Sequence, residues 1–183
     1  MKKESIVQFV CFVTNLELDE FAPKWDHYSK RSKNSETEPV LYQKEALAKN
    51  KFRYISQQEC PDFDFSYVDK NDRRSEHFPE QSVRIIQAGG YLPQKQKGRH
   101  AQKDGDIKVM ALISHDENDI DFYGRLPSYH NLNIYQAYYE SCLYGYVLEF
   151  FVPETDADEL LRQLKQRHGV EAGIYKECLV PHV

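Results

Sequence analysis

The chain reads as an α+β protein of the ferredoxin-like kind, an antiparallel sheet with its helices on one face. Three observations predict this. Runs rich in β-branched and aromatic residues recur along the whole chain. Two segments, near 19–31 and 156–168, instead carry apolar residues at helical spacing. The two ends of the chain also repeat a strand–helix–strand phrase.

The elements follow in order. IVQFVCFV (6–13) is nearly continuous in apolar residues, as a buried central strand requires. In NLELDEFAPKWDHYSKR, Phe21, Trp25 and Tyr28 share one helical stripe, Asp19 is the expected cap, and Pro23 fits a first turn. Lys30 and Arg31 close this helix at its negative end. VLYQKEAL (40–47) and KFRYISQQEC (51–60) form a hairpin, with Phe52, Tyr54 and Ser56 on one side and Arg53, Ile55 and Gln57 on the other. VRIIQAGGYLPQKQ (83–96) begins as a strand, and Gly89-Gly90 marks a bulge or a close approach of another backbone. IKVMALISH (107–115) is a buried strand. Residues 133–152 read as two strands around Ser141–Gly145. TDADELLRQLKQRHG is the second helix, capped by Thr155 or Asp156, with Leu160, Leu161 and Leu164 inward and Gly169 ending it. VEAGIYKECLV is the last strand.

The repeat sets 12–31 on 151–167 at a constant offset of 139, Phe12-Val13 on Phe151-Val152 and Trp25 on Leu164. Such a repeat fits a single domain over 1–183, or two fused ferredoxin-like halves of about 1–96 and 105–183. An open sheet with a Tyr-rich face pairs with another sheet, so either a homodimer or an internally duplicated monomer is expected.

Composition narrows the function classes. The 183 residues are 40% hydrophobic and 13% aromatic, which argues against disorder. A net charge of −5 disfavours a non-specific nucleic-acid or acidic-membrane binder. The densest basic run, Lys95, Lys97, Arg99, His100 and Lys103, lies among Gln and Gly and reads as a solvated loop. Cys11, Cys60, Cys142 and Cys178 show no zinc-type spacing, and Cys60 and Cys178 read as small buried hydrophobes. MKKES before IVQFVCFV mimics a leader, but the apolar run is short, Asn15 and Glu17 follow, and no small-residue cleavage site appears. No run is long enough to cross a membrane as a helix, and the expected location is the cytoplasm.

The N-terminal third, through QFVCFVTN, DEFAPKWDHYSKR and VLYQKEALAKNKFRYISQQEC, resembles the antibiotic-biosynthesis-monooxygenase-like group of the dimeric α/β-barrel superfamily. The resemblance implies sheet-to-sheet pairing and a pocket between sheet and helices. It implies binding of a small apolar or aromatic molecule or, alternatively, cofactor-independent oxygenation of a small aromatic substrate. One branch of the group degrades haem and usually carries Trp where the second hairpin strand ends; here that place is Cys60. The expectation is therefore that no cofactor is used. Asn15, near the end of the first strand, matches a ligand-binding position of the group, although Asn before a helix is also a turn residue.

Four constellations are candidates for chemistry. In RRSEHFPE (73–80), Arg73 and Arg74 suit a carboxylate or phosphate, and His77 suits a general base or haem ligand; the plainer reading is a loop whose charges satisfy one another. AGGY (88–91) offers Gly89, Gly90 and Tyr91 as pocket lining, without dinucleotide-binding spacing. Asp116, Glu117, Asp119 and Asp121, beside His115, lack the glycine and glutamate of a calcium loop and read as a solvated acidic turn. The tyrosines 135, 138, 139, 144 and 146 suit packing, a dimer face or ligand stacking, with Tyr144 and Tyr146 expected on one face of a strand.

Overall fold

The computed structural model describes residues 4–30, 37–45, 52–63, 82–94, 100–116, 120–126 and 131–180. Eight strands and three helices occur among them. The strands are β1 (Glu4–Thr14), β2 (Val40–Lys44), β3 (Tyr54–Phe63), β4 (Val83–Pro93), β5 (Asp106–Ile113), β6 (Leu132–Ala137), β7 (Tyr146–Pro153) and β8 (Val170–Glu177). The helices are α1 (Leu18–Lys30), the short α2 (Ile120–Tyr123) and α3 (Glu154–Lys165). All strand pairs are antiparallel, and the order β1-β3-β2-β8-β5-β7-β6-β4 closes on itself as a barrel. Closure leaves no free sheet edge among these strands. The open sheet expected from the sequence is thus a closed one.

The topology has a two-fold pattern. The first four strands run β4-β1-β3-β2 and the second four run β8-β5-β7-β6. Each set places its last strand beside its first, then its third, then its second. The seams are β2 with β8 and β4 with β6. In this pattern β1 corresponds to β5 and β3 to β7. The phrase repeated at offset 139 joins β1-α1 to β7-α3, which hold different places in the two sets. That repeat reflects two strand–helix units of similar chemistry rather than the symmetry of the barrel.

Strand alternation divides the side chains between two environments. Val7, Phe9, Cys11, Ile55, Tyr91, Met110, Leu112, Tyr135, Val147 and Tyr175 form the barrel interior. Outside, Phe21 and Trp25 of α1 pack on Val10, Phe12, Leu41 and Tyr54. Leu160 and Leu164 of α3 pack on Val109, Ala111, Leu148, Phe150 and Ala172. Both long helices therefore lie on the outer face, as the single-face expectation requires. Trp25 is 1% exposed, on the stripe with Phe21 and Tyr28. Burying one apolar side chain of this size contributes about 2–3 kcal/mol, so these stripes hold the helices to the barrel.

Several local expectations are corrected. Helix α1 is capped at Glu17 rather than Asp19: the Glu17 carbonyl accepts from Phe21 N at 2.9 Å, and the Glu20 carboxylate accepts from Glu17 N. Pro23 sits in the second turn on the exposed side, and Asp19, whose carbonyl it leaves without a helical donor, is exposed too. Helix α3 starts directly from Pro153 with no side-chain cap, and Gly169 (φ 73°) serves the turn into β8. The bulge between β1 and β4 lies at Cys11/Phe12, while Gly89 and Gly90 pair regularly with Phe9 and Gln8. Phe52 precedes β3 and turns into the barrel, away from Tyr54 on the outside. Tyr144 likewise points inward from the turn before β7, while Tyr146 packs outside. In both pairs a turn residue is exempt from the alternation a strand imposes. No described helix is long and apolar enough to cross a membrane.

Candidate functional site

Two polar features of the barrel wall each rest on a lysine. The first lies on β5 and β7. Alternation turns Lys108 and Glu149 inward, and the strands bring them to an ion pair of 2.6 Å with both side chains 3% exposed. Glu149 also accepts from the Tyr135 hydroxyl at 2.6 Å and from Asn133 Nδ2 at 3.3 Å. Lys108 donates to Gln57 Oε1 at 2.9 Å, and its ammonium lies 3.6 Å from the centre of the Tyr42 ring. Burial pushes the Glu149 carboxyl up, but Lys108 and the hydrogen bonds from Lys108, Tyr135 and Asn133 outweigh it and hold the group below its ordinary value. Burial lowers Lys108, and Glu149 with Tyr42 raises it above the ordinary lysine value. The result is a fixed pair of ions, in which Glu149 Oε2 takes the hydrogen bonds from Tyr135 and Asn133 and Oε1 faces the Lys108 charge, and such a pair is poor equipment for moving a proton.

The second is Lys44, at the seam of β2 and β8. It pairs across the seam with Tyr175, so it shares that residue's inner face. Only 8% of Lys44 is exposed. Its ammonium donates to the Ala172 carbonyl at 3.4 Å and lies 5.8 Å from the Tyr175 ring centre. No carboxylate among the described residues forms an ion pair with it. Burial, then the Lys165 charge, bring its value down to about 8, against a small opposing effect of Glu171.

A third feature is a groove of about 550 Å³ outside the barrel, beside α1. Trp25, Pro39, Leu41, Cys178, Leu179 and Val180 supply most of its wall. Trp25 lines this groove, its indole N–H is buried with no hydrogen-bond partner among the described residues, and Leu179 is 91% exposed at the rim. Burial pushes the Cys178 thiol up to about 11, so it is an apolar wall rather than a nucleophile.

The residues singled out from sequence are scattered. Arg73, Arg74 and His77 lie outside the described residues. Asn15 is exposed in the β1–α1 turn, where its carbonyl accepts from Arg53, in keeping with a turn role. Gly89 faces the interior, and a Cβ there would meet Cys142 Sγ and Gln87 Nε2 at 2.7 Å each; at Gly90 a Cβ would meet Ile6 Cδ1 at 2.9 Å. Their close approach is thus to side chains. Tyr91 is fully buried, donates to the Tyr144 carbonyl at 3.0 Å and accepts from Gln87. Gly89 and Tyr91 meet in the packed interior, far in sequence and fold from Asn15. His115 bonds the Cys142 carbonyl at 2.7 Å, and the described residues hold no group of metal-ligating side chains. Sequence reading missed Lys44, Lys108 and Glu149. The lone charges in IKVMALI and VLEFF were a usable signal for the last two; Lys44, among polar neighbours in VLYQKEAL, gave none.

The closed barrel of two four-strand sets with helices outside defines the class: the chain has the dimeric α/β-barrel fold. Among solved structures it is similar to mutant forms of chlorite dismutase from Candidatus Nitrospira defluvii. One has a TM-score of 0.54 at 7% identity, covering 96% of this chain and 93% of the other. A second has 0.54 at 8%, covering 96% and 92%. At such identity the likeness is one of fold. No family model matches the sequence, and no curated protein matches it.

Proposed function

We propose that this protein binds a small aromatic molecule in the groove beside α1. The observation that carries this reading is the Trp25 indole N–H, buried with no partner among the described residues, on a side chain that lines a mainly apolar groove. A buried donor left without an acceptor is destabilising by about 1–3 kcal/mol, and a ligand oxygen would relieve that. The groove's volume of about 550 Å³ suits a one- or two-ring compound. The sequence's resemblance to the monooxygenase-like group points to the same ligand class. The test uses Trp25 itself, since it is the sole tryptophan. Methyl benzoate, aromatic with a carbonyl acceptor, should change Trp25 emission saturably. Leu179→Asp, at the exposed rim, should weaken that change without altering the unfolding midpoint. A linear, non-saturating response in the wild-type protein would sink the reading.

The alternative, oxygenation of an aromatic substrate without a cofactor, needs a base that meets the substrate. His77 lies outside the described residues, and Glu149 is held as a bonded ion. The groove beside α1 gives the binding reading its support.

The same reading takes the chain as a fused duplication, with about 1–96 and 105–183 as its halves. The support is the matching strand order of the two sets and the two equivalent seams. The pairing that members of the superfamily make between chains is then made within one. Sedimentation equilibrium should give a monomer, and a stable dimer would contradict the proposal.

A further inference from the structure

We propose that Lys44 is a carbonyl-reactive lysine, whose amine condenses with a small aliphatic aldehyde or ketone entering by the groove between α3 and strands β2 and β8. The groove has a volume of about 500 Å³ and is lined by Lys44, Glu45, Asp158, Leu161, Lys165, Gly173 and Ile174. Leu161 and Ile174 give it an apolar surface suited to an alkyl chain. Gly173 brings the lysine to this wall. Both residues line the groove at the β2–β8 seam, and a Cβ at Gly173 would meet Lys44 Nζ at 2.8 Å. Only a glycine lets the lysine tip lie against this backbone.

The electrostatic surroundings leave the amine available. The groups around Lys44 are Lys165 and Asp158 from α3, Glu171 and Tyr175 from β8, and the neighbouring Glu45, which is itself paired with Lys176. None forms an ion pair with the ammonium among the described residues. Among the described residues its hydrogen bond is the 3.4 Å contact to the Ala172 carbonyl. A buried ammonium so weakly compensated readily gives up its proton, the usual basis of imine-forming lysines. The reaction balances without an outside oxidant or reductant. The neutral nitrogen attacks the carbonyl carbon and forms a C–N bond. The carbonyl oxygen takes up two protons, both from the amine in net terms, and leaves as water, giving a C=N bond.

Propionaldehyde with cyanoborohydride at pH 7.5 would trap the imine as a propyl-lysine, to be located by peptide mapping at low conversion. With a value of about 8, Lys44 is about one-quarter neutral at this pH, against about one in a thousand for an ordinary lysine. Lys44 should therefore be modified first, by about tenfold or more over Lys165 and Lys176. Leu161→Trp, which fills the groove, should slow the labelling of Lys44 and leave Lys176 unchanged, with circular dichroism verifying the fold. Labelling of Lys44 at the rate of the other two, or none at all, would overturn the proposal. Rapid labelling that Leu161→Trp leaves unaltered would overturn the entry route.

Discussion

Lys108 and Lys44 sit on the inner face of the same barrel, both nearly sealed from water, yet their surroundings treat them oppositely. Lys108 has a carboxylate at 2.6 Å, an amide oxygen and an aromatic face, and it is held as a cation. Among the described residues Lys44 has a long hydrogen bond to a carbonyl and a neighbouring cation, and its charged form is disfavoured. Burial alone acts in the same direction on both. What decides the outcome is the facing strand: β7 presents Glu149 to Lys108, whereas β8 presents Gly173 and a backbone carbonyl to Lys44.

The largest expected effect comes from breaking the paired side. Glu149→Leu leaves Lys108 as an uncompensated buried charge and should cost about 3–5 kcal/mol in urea unfolding. Adding Lys108→Met should recover most of that, because a well-packed apolar pair can replace a buried ion pair. If the single variant unfolds like the wild type, Glu149 does not hold Lys108 in place.

Trp25 supplies an uncharged reference whose effect should be of similar size. Trp25→Ala should cost about 3–5 kcal/mol by leaving a cavity under α1. Trp25→Phe should cost much less, since it keeps most of the volume and removes an N–H that has no partner. An unchanged midpoint for Trp25→Ala would contradict the packing seen around it.

The pH dependence sharpens the contrast between the lysines. The folded-state value of Lys44 is lowered, so the unfolded chain binds more protons between about pH 8 and 10.5, and stability rises with pH across that window. Lys44→Met, which keeps an apolar stem, should therefore be more stable than wild type at pH 7 by about 1–2 kcal/mol, allowing for solvent screening. The difference should fade as pH approaches 10.5. Lys108 has the opposite sign: its value is raised, so its contribution is complete below the unfolded value near 10.5 and is lost as pH rises through the folded one. Unfolding midpoints at pH 7 and 10 for Lys44→Met would show which sign holds.

The smallest effect belongs to the surface. Arg162 and Glu159 form a bidentate contact on exposed α3, through bonds of 2.9 and 2.6 Å. Glu159→Gln should leave the thermal midpoint unchanged, because water and salt screen such pairs.

Much of this architecture was legible in the chain. The strands, the two long helices, the hairpin and the outward burial of Trp25 follow from apolar periodicity, which a strand or helix must satisfy wherever it packs. Turn residues were the first to escape, since Phe52 and Tyr144 take their direction from the turn and not from strand alternation. The candidate sites were less legible still. Asn15 and Gly89-Gly90-Tyr91 stand out as sequence, but the fold places them in a turn and in a packed interior. What the sequence by itself determined was which stretches are strands or helices and which face of each is apolar. Tertiary structure alone decided the closure of the sheet and what lies across each seam. Lys44 and Gly173 are more than a hundred residues apart, and neither hints at the other. Only the register of β2 on β8 sets an amine against bare backbone, because cross-strand pairing is a long-range choice that local propensity does not encode.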